Sequence, residues 1–281
     1  MSKPPTLELP EGARARQLRT PRGEFAVHEA GEPTRGTVLL VPGFTGSKED
    51  FITLLTPVAQ AGYRVVAVDG RGQYESAGPL EGSGYAQPEL AADVSAQCAA
   101  LGGGVHLLGH SLGGLICRAA VLAEPKAFRS FTAMSSGPAS VGAQQQERLK
   151  LLLGALPVME MAAIWQAMRD LDPPEAADAQ TPQAVGDFLR RRWLATSPHQ
   201  LIAGAEQLLA EPDRVDQLAA LDIPCHVLSG ERDYAWPVEL MDDMAHRLGA
   251  QRSLIPGAEH SPAVENPEAT AQALLAFWQQ H

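Results

Sequence analysis

The stretch Val105-His106-Leu107-Leu108-Gly109-His110-Ser111-Leu112-Gly113-Gly114-Leu115-Ile116 decides the fold class. Val105 to Leu108 has the short, apolar character of a buried strand, and Leu112 to Ala123 that of a helix. Between them lies G-x-S-x-G, from Gly109 to Gly113. A strand that turns straight into a helix at Ser111 brings the residues two before and two after it together, where a Cβ would clash. Glycine at both positions permits that turn and lifts the serine hydroxyl clear of the sheet. The helix starting there points free N–H groups and the positive end of its dipole at the hydroxyl, which favours developing negative charge. Gly114 suits close helix–sheet packing. The pentapeptide alone arises by chance; its strand–turn–helix setting makes it specific.

On the N-terminal side, residues 1–20 read as a solvated arm or an edge segment, and Glu24 to His28 as a β-type run. Thr37 to Val41 and Tyr63 to Val68 are continuous apolar runs of the kind found in strands covered on both faces. Helical spacing separates them, with Phe51, Leu54, Leu55 and Val58 on one face of Ser47 to Ala61, and a further helix follows over Pro88 to Ala100. On the C-terminal side, Phe128 to Met134 is a fourth strand. The alternation then stops from about Gly137 to Pro212, where helices are punctuated by Pro157, Pro173-Pro174, Pro182 and Pro198. It resumes with a strand over Ile223 to Leu228, a helix over Val238 to Leu248, a strand over Gln251 to Ile255 and a helix from Pro267 to His281. Strands alternating with helices predict an α/β fold with a mostly parallel, doubly wound sheet. Residues 1–136 and 213–281 form its core, and residues 137–212 an inserted helical cap.

The bulk numbers bound the function. Of 281 residues, 45 % are hydrophobic and 20 % charged, an ordinary globular balance. A formal charge of −11 disfavours nucleic acid and anionic membrane surfaces as partners. No run approaches the roughly 18 apolar residues of a membrane span, and residues 1–22 lack the apolar core of a signal peptide. Cys98, Cys117 and Cys225 have neither metal nor redox spacing and read as free thiols. A cytoplasmic protein is expected, with neither metal nor cofactor; oligomeric state is not readable.

With Gly109 to Gly113 in this setting, the chain resembles the α/β-hydrolase family from about Gly23 to its C-terminus. The resemblance implies a serine nucleophile followed in chain order by an acid and a histidine. A serine hydroxyl needs a base that titrates near neutrality. His260, in Pro256-Gly257-Ala258-Glu259-His260-Ser261-Pro262, stands where the family places that base. Of the other seven histidines, His28, His106 and His226 fall in strands, His199 and His246 in helices, and His281 at the terminus, while His110 points away from the nucleophile. The acid that fixes the imidazole tautomer is Asp233, in a Gly230-to-Pro237 loop resembling the family's acid loop, with Glu231 its nearest rival and Asp213, Asp216 and Asp222 more distant. The alternative acid position, the loop Ser135-Ser136-Gly137, offers no carboxylate. The backbone N–H groups of Phe44 and Leu112 are the implied oxyanion donors, although Pro42-Gly43 replaces the family's His-Gly. Asp69-Gly70-Arg71-Gly72-Gln73-Tyr74-Glu75-Ser76 is similar to the family turn D-x-R-G-x-G-x-S, with Tyr74 in place of the second glycine; Asp69 and Arg71 read as structural.

The cap is rich in Met and Trp, which suits an adaptable apolar pocket, and Trp165, Met168, Trp193 and, from the acid loop, Trp236 are the candidate lining residues. Arg190-Arg191-Arg192 reads as a solvated face or a cluster paired with local acids. The expectation is a serine hydrolase acting on a carboxylic ester or related acyl bond of a small to medium, partly apolar substrate. Thioesterase, lactonase, perhydrolase and acyltransferase chemistry would use the same triad; a ligand-binding protein on the same fold is the alternative of another class. Serine rather than aspartate at 111 argues against haloalkane dehalogenase and epoxide hydrolase chemistry.

Overall fold

A computed structural model of the chain describes residues 1–170 and 181–281. The break expected at Pro173-Pro174 lies outside the described residues. In chain order the elements are β1 (Arg14–Thr20), β2 (Gly23–Ala30), β3 (Gly36–Val41), α1 (Leu55–Gln60), β4 (Tyr63–Val68), α2 (Gln87–Ala100), β5 (Val105–His110), α3 (Leu112–Ala123) and β6 (Phe128–Met134). Then come α4 (Ala143–Ala155), α5 (Met161–Asp170), α6 (Gln183–Ala195), α7 (Pro198–Ala210), α8 (Val215–Ala219), β7 (Cys225–Gly230), α9 (Val238–Leu248), β8 (Gln251–Ile255), α10 (Pro262–Glu265) and α11 (Pro267–Trp278).

The strands make one sheet in the order β1-β2-β4-β3-β5-β6-β7-β8. From β4 to β8 every pairing is parallel, whereas β2 runs antiparallel to β4 and β1 antiparallel to β2. Arg14 to Thr20 is thus an edge strand, with only Leu18 buried, and Pro21 and Arg22 form the tip of its hairpin with β2. The parallel strands carry apolar residues on both faces because helices cover both. Along β3, Val38 and Leu40 pack toward α1 and α11, and Leu39 and Val41 toward α2, α3 and α9.

The segment from Ser47 to Ala61, expected to be one helix, splits into a 3-10 turn over Lys48–Leu54 and the short α1. Lys48, Glu49, Asp50, Phe51, Ile52 and Leu54 are all buried, so this stretch has no solvent face against which a regular amphipathic helix could form.

Two features place the site. The chain passes from β3 to β4 on one side and then to β5 on the other, so the loops after β3 and β5 diverge. This is a topological switch point, where open α/β sheets leave a crevice at the strand C-terminal ends. Between β6 and β7, the described residues contain helices α4 to α8 and no strand, and α6 and α7 lie across that crevice. Ser197 N–H donates to the Gly72 carbonyl (2.8 Å). Gly204 of α7 packs so closely that a Cβ there would stand 2.9 Å from Leu112 and 3.0 Å from the Phe44 ring. Ile164, Trp165, Val185, Phe188, Leu189, Trp193 and Leu201 give these helices a small apolar core of their own.

Candidate active site

Ser111 follows β5 and caps α3 with φ 55° and ψ −121°, a conformation that an L-residue adopts only when its surroundings impose it. Those surroundings are glycines. A Cβ on Gly109 would lie 2.4 Å from the Gly113 carbonyl oxygen, one on Gly113 2.4 Å from the Pro42 carbonyl oxygen, and one on Gly114 2.4 Å from Ser136 Oγ. The second glycine therefore serves the contact with the β3 loop as well as the contact across the turn.

The candidate base, His260, comes from the loop after β8. His260 Nε2 is 3.0 Å from Ser111 Oγ, and its Nδ1 is 2.9 Å from both carboxylate oxygens of Asp233. Asp233 follows β7, its side chain has no exposed surface, and Oδ1 also accepts the N–H groups of Ala235 (2.7 Å) and Trp236 (3.1 Å). These donors fix the carboxylate rotamer. One tautomer satisfies the whole chain of bonds: Nδ1–H donates to Asp233, leaving the Nε2 lone pair for the serine proton. Glu231, the rival acid, is exposed and accepts the Gly257 N–H instead (2.9 Å). Asp213 and Asp216 pair with Arg247.

Three further groups hold the imidazole. Glu265 Oε2 accepts the N–H groups on either side of it, from Glu259 (2.6 Å) and Ser261 (3.1 Å). The Tyr234 ring lies 4.6 Å from the His260 ring between centroids. His110 Nε2–H donates to the His260 carbonyl (2.7 Å), and burial, then repulsion from His260, push the His110 pKa down to about 3. His110 does point away from the nucleophile, as its sequence position suggests, but it points at the main chain of the base. Its partner lies 150 residues away, and no sequence signal shows that.

At the switch point, Gly43 abuts the serine: a Cβ there would be 3.2 Å from Ser111 Cβ. Among the described residues neither the Phe44 nor the Leu112 N–H donates to a protein acceptor, so both remain available to an anion. Ser111 is 7 % and His260 6 % exposed, which leaves a narrow approach beneath α7.

Three of the four expected lining residues pack elsewhere. Trp193 is 2 % exposed, donates to the Met161 carbonyl (2.8 Å) and belongs with Trp165 to the apolar core of the inserted helices, against which Met168 packs. Trp236 has no exposed surface, lies against Gly137 and donates to the Ala139 carbonyl (2.9 Å). An indole whose N–H is satisfied by a backbone carbonyl inside a packed core is scaffold, so Trp193 is corrected from a lining residue to a packing residue; Trp236, equally buried, sets its ring 6.3 Å from that of His260 and borders the site. The side chains of Phe44 and Leu112 pack beneath Gly204 of α7. Asp69 accepts from Lys48 Nζ (2.9 Å), and Arg71 pairs with Asp93. Tyr74 keeps a left-handed backbone, φ 40°, without the glycine that would make it easy, and sets its ring edge-on against Phe188. Arg190 and Arg191 are exposed, whereas Arg192 is buried on Asp50. Arg190 and Arg191 thus form the expected solvated face, and the reading is corrected for Arg192 alone. Among the described residues, no three His, Cys, Asp or Glu side chains gather to hold a metal ion, and no helix is long and apolar enough to cross a membrane.

The protein is similar to several hydrolases of known sequence. It is 29 % identical over 237 residues to the pimeloyl-acyl-carrier protein methyl ester esterase of Aeromonas hydrophila, spanning 79 % of this chain and 88 % of that protein. It is also 29 % identical to the proline iminopeptidase of Lactobacillus delbrueckii subsp. lactis, across 88 % of this chain and 92 % of that one. Its fold matches that of a thermophilic esterase from Thermogutta terrifontis with a TM-score of 0.75 at 24 % identity, covering 95 % and 98 % of the two chains. The family model for the alpha/beta hydrolase fold spans residues 36–267, from the first parallel strand to the start of the last helix. With elbow, sheet order and sequence in agreement over that span, the chain belongs to the alpha/beta-hydrolase family.

Proposed function

We propose that this protein is a serine hydrolase that cleaves a carboxylic ester, or a related acyl bond, through an acyl-enzyme on Ser111. The observation that carries the reading is the continuous hydrogen-bonded line from Ser111 Oγ through His260 to Asp233. Ser111 Oγ attacks the acyl carbon as His260 Nε2 takes its proton, and Asp233 stabilises the resulting imidazolium. The Phe44 and Leu112 N–H groups receive the charge on the carbonyl oxygen. His260 then gives its proton to the departing alkoxide, and water, activated by the same imidazole, releases the acid. Residues 137–212 act as a cap that restricts access. The narrow approach and the apolar Phe44 and Leu112 side chains favour a small to medium, partly apolar substrate. The Aeromonas relative, a methyl ester esterase, supports an ester substrate. Three unpaired cysteines favour a reducing, cytoplasmic setting.

Labelling with a fluorophosphonate and measuring intact mass tests this directly. Wild type takes one adduct, Ser111→Ala takes none, and turnover of short-chain esters falls by roughly 10⁴ or more in the variant. A folded wild type that forms no adduct and turns over no ester would instead be a ligand-binding protein on a hydrolase fold.

A further inference from the structure

We infer that Gln73 is a positioning residue for oxyanion binding: its carboxamide fixes the peptide between Gly43 and Phe44 so that the Phe44 N–H keeps one direction. This rests on the serine-hydrolase reading of Ser111. Gln73 follows β4 in the turn Asp69 to Ser76, is buried, and reaches across to the loop after β3. Its Nε2 donates to the Gly43 carbonyl at 2.7 Å, with a longer contact to the Phe44 carbonyl at 3.5 Å. Its Oε1 accepts the Gly70 N–H at 2.9 Å. Both ends of the amide are thus assigned by their partners, and the NH₂ must face Gly43.

The consequence follows from peptide geometry. The Gly43–Phe44 bond is trans, as no cis peptide bond occurs among the described residues. In a planar trans peptide the C=O of one residue and the N–H of the next point in opposite directions. Holding the Gly43 carbonyl on the Gln73 side therefore holds the Phe44 N–H on the other. The Gly46 N–H donates to the same carbonyl at 3.1 Å, but it belongs to the same short loop and can turn with it. Gln73 belongs to a different strand connection, and among the described residues it is the one donor from outside the loop to the Gly43 carbonyl. The turn that carries it closes through its own backbone, with Gln73 N–H on the Gly70 carbonyl (3.0 Å) and Ser76 N–H on the Gln73 carbonyl (2.9 Å). The side chain can therefore be changed without unmaking the turn. An oxyanion donor contributes only if it is preorganised toward the transition state, so the loss should fall on kcat rather than on substrate affinity.

The test compares wild type, Gln73→Leu and Gln73→Glu in p-nitrophenyl ester hydrolysis, with thermal unfolding and fluorophosphonate labelling beside it. In Gln73→Leu, kcat is expected to drop about ten- to hundred-fold, less than the roughly 10²–10³ of deleting a donor outright, with KM within about threefold. Labelling slows but still occurs, unlike in Ser111→Ala. Gln73→Glu is nearly isosteric and decides the matter should the leucine variant fail to fold. Its carboxylate cannot donate to Gly43, so its kcat relative to wild type should be low near pH 8 and recover as falling pH protonates the acid. A kcat within threefold of wild type in the folded variants overturns the inference, as does a parallel shift of kcat and KM with no pH recovery. A wild type without ester turnover overturns the serine-hydrolase reading itself, and this inference with it.

Discussion

At the residue scale, the site depends on side chains that either react or remove freedom from those that do. Asp233 belongs to the second kind. With both oxygens on Nδ1 and two backbone N–H groups on Oδ1, it allows His260 one tautomer and one orientation. Asp233→Asn keeps the shape but presents an NH₂ to Nδ1, so the ring is driven to the tautomer whose Nε2 carries a proton and cannot accept one from Ser111. We expect that variant to lose about 10⁴ in kcat while Glu231→Gln stays within threefold; steady-state rates on one ester give the ranking, and the reverse order would move the acid to Glu231. Ser111, His260 and Asp233, which the structure brings into hydrogen-bond contact, stand out in the sequence because each lies just beyond a strand, in a turn marked by glycine or proline. His110 and Gln73 do not. Each works by a bond to a distant main-chain carbonyl, and backbone acceptors leave no trace in residue identity.

At the element scale, helix α6 is tied to the core by a buried ion pair. Arg192 Nη1 donates to Asp50 Oδ1 (2.7 Å) and Ser47 Oγ (3.2 Å), and Nη2 to the Ser2 carbonyl (3.0 Å); both charged side chains are 1 % exposed. One arginine thereby joins an inserted helix, the turn after β3 and the N-terminal segment. Burying two charges costs several kcal/mol in desolvation, so removing one partner is worse than removing both. Arg192→Met should cost about 3–5 kcal/mol in urea unfolding, and adding Asp50→Asn should restore most of it. If the double variant were instead as unstable as the sum of the singles, the pair would not be coupled. The sequence displayed the helix but not this role, because a run of three arginines looks the same whether or not one of them turns inward. The strands were easier to place. β4 spans its expected residues because an apolar run between turn residues has few other ways to be buried.

At the scale of the whole molecule, three histidines are built into the sheet layer without charge. Burial pushes His106 down to about 4 and His226 to about 3, with Arg129 and Arg252 adding repulsion, and His110 is likewise held near 3. His106 is hydrogen-bonded to Ser130 Oγ (2.8 Å) and His226 to Ser253 Oγ (2.9 Å), and both lie outside the active site. An unfolded histidine takes up its proton near pH 6.5, whereas these do not until about pH 4 or below. Between those limits the unfolded chain binds more protons, so their contribution to stability is complete above about pH 6.5 and is lost progressively as pH falls toward 4. The net charge of −11 works the other way, since mild acid brings it toward zero and eases self-repulsion. A loss of stability between pH 6.5 and 5 therefore needs specific sites such as these. Each histidine contributes up to about 1.4 kcal/mol per pH unit to the slope of unfolding free energy against pH. His106→Gln and His226→Gln should each reduce that slope by about 0.9 kcal/mol per pH unit on average, measured from urea midpoints at pH 7, 6 and 5. Slopes equal to that of wild type would mean that these imidazoles already carry protons in the folded sheet, and the acid sensitivity of the fold would then have to come from its carboxylates.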